Sequence, residues 1–375
     1  MNRSNNNPRA RAIAFYLPQY YPIAENDAFW GPGFTEWINV VKAHPLFRGH
    51  RQPHLPRDLG FYDLRVPEVR EQQAKLAHDA GIEGFCYWHY WFGNGKRVLD
   101  RVFSEVVETG RPVFSFCLGW ANESWTGRWH GLDSNVILEQ TYPGIQDYIL
   151  HFEALLPAFK DPRYIEVKNR KLFVIYRPEL VPDLDVFLDC WNTLAKENGI
   201  NGFFFISADT FHDHRKHPAI DGVIPRHIEK MIARLPRPMS REWLRNLVWR
   251  LRASSFWVPT IVGAVPLSCQ YSNFIVEWTG KNLEEDVYPC VYPNWDNTPR
   301  CKAKGSVLLN STPDLFGKMV AAELRKIANR PLDQRLIFIK SWNEWAEGNY
   351  LEPDQQYGNQ YLDVLKKLLF GDDTI

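Results

Sequence analysis

The sequence predicts an α/β chain closed into a (β/α)8 TIM barrel with long rim insertions, and three observations predict it. Eight short apolar or aromatic runs recur, helical patterns separate most of them, and 375 residues suit one barrel with insertions. Most of the runs are continuously apolar, the pattern of parallel strands buried on both faces.

The first strand, AIAFYLPQ, covers 12–19. Residues 20–62 are too long for a simple turn, and PGFTEWINV and HPLFRGHRQPHLP fill them with Pro, His and aromatic residues. Long structured loops in a barrel carry function and gather at its C-terminal rim. The clearest helix is PEVREQQAKLAHDAG (67–81), stopped by Gly81 before the strand GFCYWHYW (84–91). A helix predicted at 97–109 leads to VFSFCLGW (113–120), and one at 145–157 to LFVIYRP (172–178). A helix at 183–198 precedes FFFISAD (203–209), and DGVIPR (221–226) follows as a short sixth strand. A second insertion, 227–286, separates it from VYPCVYP (287–293). The pattern closes with a helix at 313–329, the strand LIFIKSW (336–342) and a helix at 358–369. No repeat, low-complexity tract or linker interrupts the chain, so 1–375 reads as a single domain.

Lys plus Arg and Asp plus Glu are equal at 44 each, which removes any global electrostatic reason to expect nucleic acid. The aromatic content stands out: 15 Trp, 16 Tyr and 23 Phe suit buried layers and also the faces of sugar rings. The N-terminus has no apolar segment with a small-residue cleavage site, and no apolar run is long enough to span a membrane. The six scattered Cys are expected as reduced thiols, and the expected location is the cytoplasm, with a position against the inner face of the membrane as the alternative.

Placement decides between an aromatic core and a ring-binding pocket. The fold puts its active site at the C-terminal ends of the strands, where polar and aromatic residues concentrate. The first strand ends at Tyr16 and Gln19, the second at Trp88, His89 and Tyr90, and the third at Trp120, Asn122, Glu123 and Trp125. Tyr176 ends the fourth, Asp296 follows the seventh, and Glu36 enters from the first long loop. The eighth strand ends in Trp342-Asn343-Glu344-Trp345-Ala346-Glu347-Gly348. If the chain turns helically there, the two Glu come within about 5–6 Å at their Cβ atoms. Paired acids at that order of separation cleave glycosidic bonds with retention. The alternative is an exposed acid pair at a helix start, which the flanking Trp and the Gly make the weaker reading.

The strings IKSWNEWAEGNYLEPD, GFCYWHYWFGNGKRVLD, LGWANESWTGRW and YPCVYPNWDNTPR resemble the WbsX family of polysaccharide-biosynthesis proteins. That family is related to glycoside hydrolase family 99, whose members are metal-independent (β/α)8 endo-α-mannosidases and endo-α-mannanases acting with retention. The likeness spans 12–369, with the E-W-x-E pair as its specific part. It implies that one acid deprotonates the sugar's own 2-hydroxyl, which attacks C1 to give a 1,2-anhydro intermediate, while the other protonates the leaving oxygen. Motif matching gives Glu344 the base role and Glu347 the general acid/base role. Tyr16, Gln19, Glu36, Trp88, His89, Tyr90, Trp120, Asn122, Glu123, Trp125, Tyr176, Asp296, Trp342, Asn343 and Trp345 are the expected substrate-binding residues.

Weaker signals remain. His212, His214 and His217 have no metal-ligand spacing, and no metal or other cofactor is expected. The stretch 234–258 is basic and aromatic, either a barrel helix or a surface helix on anionic lipid. The expected activity is cleavage or transfer of a glycosidic linkage in a surface polysaccharide or its precursor, free or lipid-linked. The alternatives are a glycosyltransferase of lipopolysaccharide O-antigen or capsule assembly, and a noncatalytic glycan-binding barrel.

Overall fold

Eight parallel strands form one curled sheet whose neighbours follow chain order. They are β1 (Arg11–Tyr16), β2 (Ile82–Trp91), β3 (Ser115–Trp120), β4 (Arg170–Ile175), β5 (Phe203–Asp209), β6 (Gly222–Pro225), β7 (Cys290–Val291) and β8 (Leu336–Ile339). β1 lies between β2 and β8, and the sheet runs outward from there to β6 on one side and β7 on the other. An isolated parallel bridge between Val223 and Val287 joins the two ends, with Tyr288 N–H donating to the Val223 carbonyl at 2.8 Å. The barrel is thereby closed, as the eight apolar runs predicted. The computed structural model describes residues 7–127, 136–209, 217–225, 228–235 and 266–371.

The outer helices start and stop where local chemistry directs. Helices α1 (Ala24–Trp30) and α2 (Glu36–Lys42) lie inside the first long loop. Helix α3 (Pro67–Asp79) opens with Pro at its first position, where the missing N–H has no helical partner to lose. Helix α4 (Arg101–Thr109) begins later than the predicted 97, because Arg97–Val98 pairs back on Tyr90–Trp91. The reversal runs through Gly93, Asn94 and Gly95, all at positive φ, a conformation that Gly and Asn tolerate. Helices α5 (Ile145–Phe159) and α6 (Leu184–Glu197) cover the next strands, and α7 (Ile228–Arg234) follows β6. Helix α8 (Tyr271–Thr279) lies in the second insertion, preceded by Leu267–Gln270, which pairs with Ser306–Leu309 outside the barrel. Helix α9 (Pro313–Ile327) is capped by the Thr312 hydroxyl, which accepts from Leu315 N–H at 3.3 Å, and buries Phe316, Met319, Val320, Leu324 and Ile327. Helix α10 (Gln360–Phe370) packs beside it. All six cysteines are free thiols.

Alternation along the strands sorts the aromatics. Phe15 stacks on Trp88 at 4.8 Å and on Phe338 at 5.8 Å inside the barrel. The next residue along each strand faces the helices: Tyr16 donates to Gln73 of α3, His89 meets His151 of α5, and Trp120 packs on Phe187 of α6. Gly119 makes room for the inward indole, since a Cβ there would lie 3.1 Å from Trp88 carbons.

Gly84 marks another close approach, where a Cβ would stand 2.3 Å from the Ser115 carbonyl oxygen on the neighbouring strand. Backbone cannot retreat as a side-chain tip can, so Gly84→Ala should destabilise the barrel by about 1–3 kcal/mol. The expected result is a lower urea midpoint at unchanged m-value; an unchanged midpoint would show that β2 and β3 yield freely.

Candidate active site

Beyond β8 the chain leaves the barrel as a tight hairpin. Asn343–Glu344 pairs antiparallel with Asn349–Tyr350, and Trp345–Glu347 forms a 3-10 turn between them. Gly348 closes the turn at φ 59°, and a Cβ there would lie 2.9 Å from the Asp296 backbone nitrogen. The helical sense of the turn brings Glu344 and Glu347 to the same ammonium group, Lys340 Nζ, which donates to both and lies 3.1 Å from Glu347 Oε2. Two hydrogen bonds to one nitrogen place the nearest carboxylate oxygens no more than about 6 Å apart.

Two further residues complete the charge cluster. Arg300, in the short helix Thr298–Cys301 after β7, donates from Nη1 to Glu347 at 2.7 Å and from Nε to Glu36 at 3.1 Å. Glu36 opens α2, and its N–H is bonded to the Gln19 carbonyl at 3.2 Å. Three buried carboxylates thus share two cations, which leaves one negative charge in excess unless the cluster binds a proton. Burial alone would raise the Glu344 carboxyl, but the Lys340 and Arg300 charges and hydrogen bonds from Lys340 and Ser341 hold it down at about 2. At Glu36 burial wins over Arg300, and the carboxyl is raised. The Arg300 guanidinium, although buried, is held more firmly charged by Glu36, Glu347 and Glu344.

The aromatic wall comes from residues of inward parity. Tyr90, its phenol raised by burial and next by the Glu344 charge, meets Trp125 edge-on at 5.1 Å. Trp88 meets Tyr176 edge-on at 5.7 Å. Of the expected site residues, the structure brings Glu36, Tyr90, Glu344 and Glu347 to one centre, with Trp88, Trp125 and Tyr176 on the inward side.

Other expected residues serve the scaffold in this structure. Tyr16, His89 and Trp120 face the outer helices, and Trp342 is buried against Phe85 at 5.3 Å. Their outward or core positions take their rings away from the mouth, because each sits at the wrong parity or beneath the hairpin. Asn343 clamps the Leu17 peptide, accepting from its N–H at 2.7 Å and donating to its carbonyl at 3.0 Å. Asn122 clamps Arg177 in the same way, at 2.8 and 2.7 Å. Asp296 is buried and accepts from His50, Gln52 and Thr298. The Leu46 N–H donates to His50 Nδ1, so Nε2 carries the proton given to Asp296. Trp345 stacks on Tyr350 at 3.7 Å and donates to Glu352 at 2.6 Å, bracing the hairpin. Glu123 is ion-paired with Arg177 at 3.3 Å on the rim, and Gln19 contributes its carbonyl to α2. Of the three histidines, His212 and His214 lie outside the described residues, and His217 stands 3.2 Å from Asp185. The basic stretch 234–258 lies almost wholly outside the described residues.

A family model described as Glycosyltransferase WbsX matches residues 12–365. The chain belongs to the WbsX glycosyltransferase family. The resemblance read from the W-N-E-W-x-E-G string is borne out. Two proteins named "Uncharacterized protein WxcX", from two strains of Xanthomonas campestris pv. campestris, are each 35% identical over 372 residues. The match covers 96% of this chain and 50% of those proteins, so the WbsX chain spans about half the length of the curated relatives it matches. Among solved structures, a glycoside hydrolase-like protein aligns with TM-score 0.59 at 14% identity, covering 99% of this chain and 97% of that one. The GH99 endo-alpha-mannosidase from Bacteroides thetaiotaomicron aligns with TM-score 0.52 at 14% identity, covering 96% of each chain. At these identities the likeness is one of fold.

Lys340 and Arg300 are the site residues that motif reading missed. Each had a signal: Lys340 ends an apolar strand run four residues before Glu344, and Arg300 closes the NWDNTPR string. A buried cation at either place demands an acid partner. Lys340→Met should therefore strand a buried carboxylate and lower stability by about 3–5 kcal/mol at neutral pH. Adding Glu344→Gln to that variant should restore part of the loss in a denaturation cycle; no recovery would mean the two are not coupled.

Glu352 gives a pH signature. Burial pushes its carboxyl up to about 7, against hydrogen bonds from Trp345, Gln73 and Tyr62. Between the ordinary 4.5 and about 7 the folded chain holds a proton that the unfolded chain has lost, so this group's contribution to stability falls as pH rises through that window. Glu352→Gln should flatten the slope of melting temperature against pH there; a slope equal to the parent's would assign it elsewhere.

Proposed function

We propose that this WbsX chain breaks a glycosidic linkage with retention through Glu344 and Glu347 and passes the glycosyl group to water or to a sugar hydroxyl. The carrying observation is the placement of both glutamates on Lys340 at the C-terminal end of the barrel, with Glu344 held ionised. Glu344 takes the proton of the substrate's 2-hydroxyl as that oxygen attacks C1. The C1–O bond to the leaving group breaks and Glu347 gives the departing oxygen a proton, leaving a 1,2-anhydro sugar. Glu347, now a base, deprotonates the incoming water or hydroxyl. Its oxygen opens the anhydro ring at C1, and Glu344 returns the proton to O2. Each step exchanges one proton with each carboxylate, in opposite senses, so paired acids suffice. The excess negative charge of the cluster, shared across Arg300 between Glu36 and Glu347, offers a place for the proton that the first step spends.

The substrate class is an oligosaccharide or polysaccharide, read here as a surface glycan or its precursor. The endo-alpha-mannosidase title of the structural neighbours makes α-mannosides the first compounds to try. A nucleotide-sugar transferase is the second reading, favoured by the family's description. Against a diphosphate at this centre, Lys340 and Arg300 are already held by carboxylates.

The test is turnover of an α- and β-linked oligosaccharide panel, with and without acceptor, followed by NMR of the first-formed anomer. Retention is expected, and Glu344→Gln and Glu347→Gln should each slow turnover by about 10²–10⁴-fold while leaving ligand-induced thermal stabilisation in place. An inverted product, or transfer from a nucleotide sugar that survives both substitutions, would remove the scheme.

A further inference from the structure

A cavity opens at the same rim, and neither Glu344 nor Glu347 lines it. It encloses about 310 Å³ between residues 49–54, 293–312 and 350–361. That volume is at the lower end of the about 300–1,000 Å³ of small-molecule sites and suits a sugar unit. One wall is the GHRQPH part of the Pro- and His-rich first loop, a motif the catalytic centre does not use.

The chemistry of the lining narrows the occupant. Asp296 is filled by His50, Gln52 and Thr298, and Asp354 by the Tyr350 hydroxyl at 2.8 Å and the N–H groups of Gln356 and Tyr357 at 3.0 and 2.6 Å. Neither acid therefore calls for a metal or an ammonium, while two carboxylates in the wall repel an anion. An apolar occupant is disfavoured as well. The Asn294 side chain lines the cavity, and the Arg51 guanidinium, 5.8 Å from the Tyr357 ring centre, offers donors at the opening. Tyr357 and Tyr361, edge-on at 5.6 Å, add an aromatic wall. An uncharged molecule with several hydroxyls and an apolar face meets all these conditions.

We propose that this cavity is a second carbohydrate site, taking a neutral pyranose unit whose hydroxyls bond to the Asn294 side chain and the Arg51 guanidinium beside the Tyr357–Tyr361 wall. The site rests on the chain's carbohydrate class and not on the roles given to Glu344 and Glu347. It nonetheless adjoins them. Asp296 N–H donates to the Glu347 carbonyl at 2.6 Å, and Tyr350, which lines the cavity, stacks on Trp345. A glycan long enough to occupy both places would press on the catalytic hairpin from behind.

Saturation-transfer NMR on the full chain carrying Glu344→Gln and Glu347→Gln tests this, with mannose, glucose, galactose and glucuronate as separate probes. At least one neutral hexose should give a saturable signal in that background. Asn294→Leu should weaken it about tenfold, the worth of one well-placed hydrogen bond. Arg51→Met, at an exposed position, should weaken it too and guards against misfolding of the Asn294 variant. A hexose signal indifferent to both substitutions, tighter binding of glucuronate than of any hexose, or no hexose signal would each overturn the proposal. Failure of the catalytic scheme alone would leave the signal intact.

Discussion

Everything at the mouth of this barrel depends on neutralising three carboxylates that are buried together. Glu36, Glu344 and Glu347 are removed from water, and an ion so removed carries a penalty of several kcal/mol unless it is paired. Lys340 and Arg300 supply the pairing, each shared between two acids. The partners come from remote parts of the chain, since Arg300 and Glu36 are 264 residues apart. The first long loop, the segment after β7 and the end of β8 must therefore close on one another for all of the charges to be satisfied. Assembly of the site and closure of the rim become a single event.

Around that cluster lies a layer that fixes position without touching the charges. The Tyr20 hydroxyl donates to the Asn343 carbonyl and accepts from Trp345 N–H at 3.2 Å. Glu352 gathers Trp345, Tyr62 and Gln73, and Gln73 in turn accepts from Tyr16 at 2.7 Å. The hairpin is thus tied through hydrogen bonds to β1, the first loop and α3. Paired acids need this rigidity, because an error of an ångström in their placement undoes the geometry on which proton transfer depends.

The strands were legible because parallel strands covered on both faces have no choice but to be apolar runs. The same property hid which way each side chain points. In GFCYWHYW or VFSFCLGW both parities are bulky and apolar, so the sequence alone does not tell Trp88, inside, from His89 and Trp120, outside. One contact in space, Phe15 on Trp88, settles it. The glutamate pair was legible as a local motif with a turn-forming glycine, whereas Lys340 and Arg300 become meaningful only through partners distant in sequence or hidden by burial. Short helices α1 and α2 escaped for a related reason: each is seven residues long and is stabilised by what it docks against rather than by its own periodicity.

The indole of Trp88 lies across Gly119, and this has a consequence for what relatives of the chain can accommodate. The room that the indole fills exists because a single methyl group is absent from the neighbouring strand. An alanine there would force the ring to give by a few tenths of an ångström, and with it Phe15, whose ring lies stacked against it. Position 119 therefore acts as a steric gauge on the aromatic filling of the barrel, setting where the inward rings stand without touching the acids at the mouth.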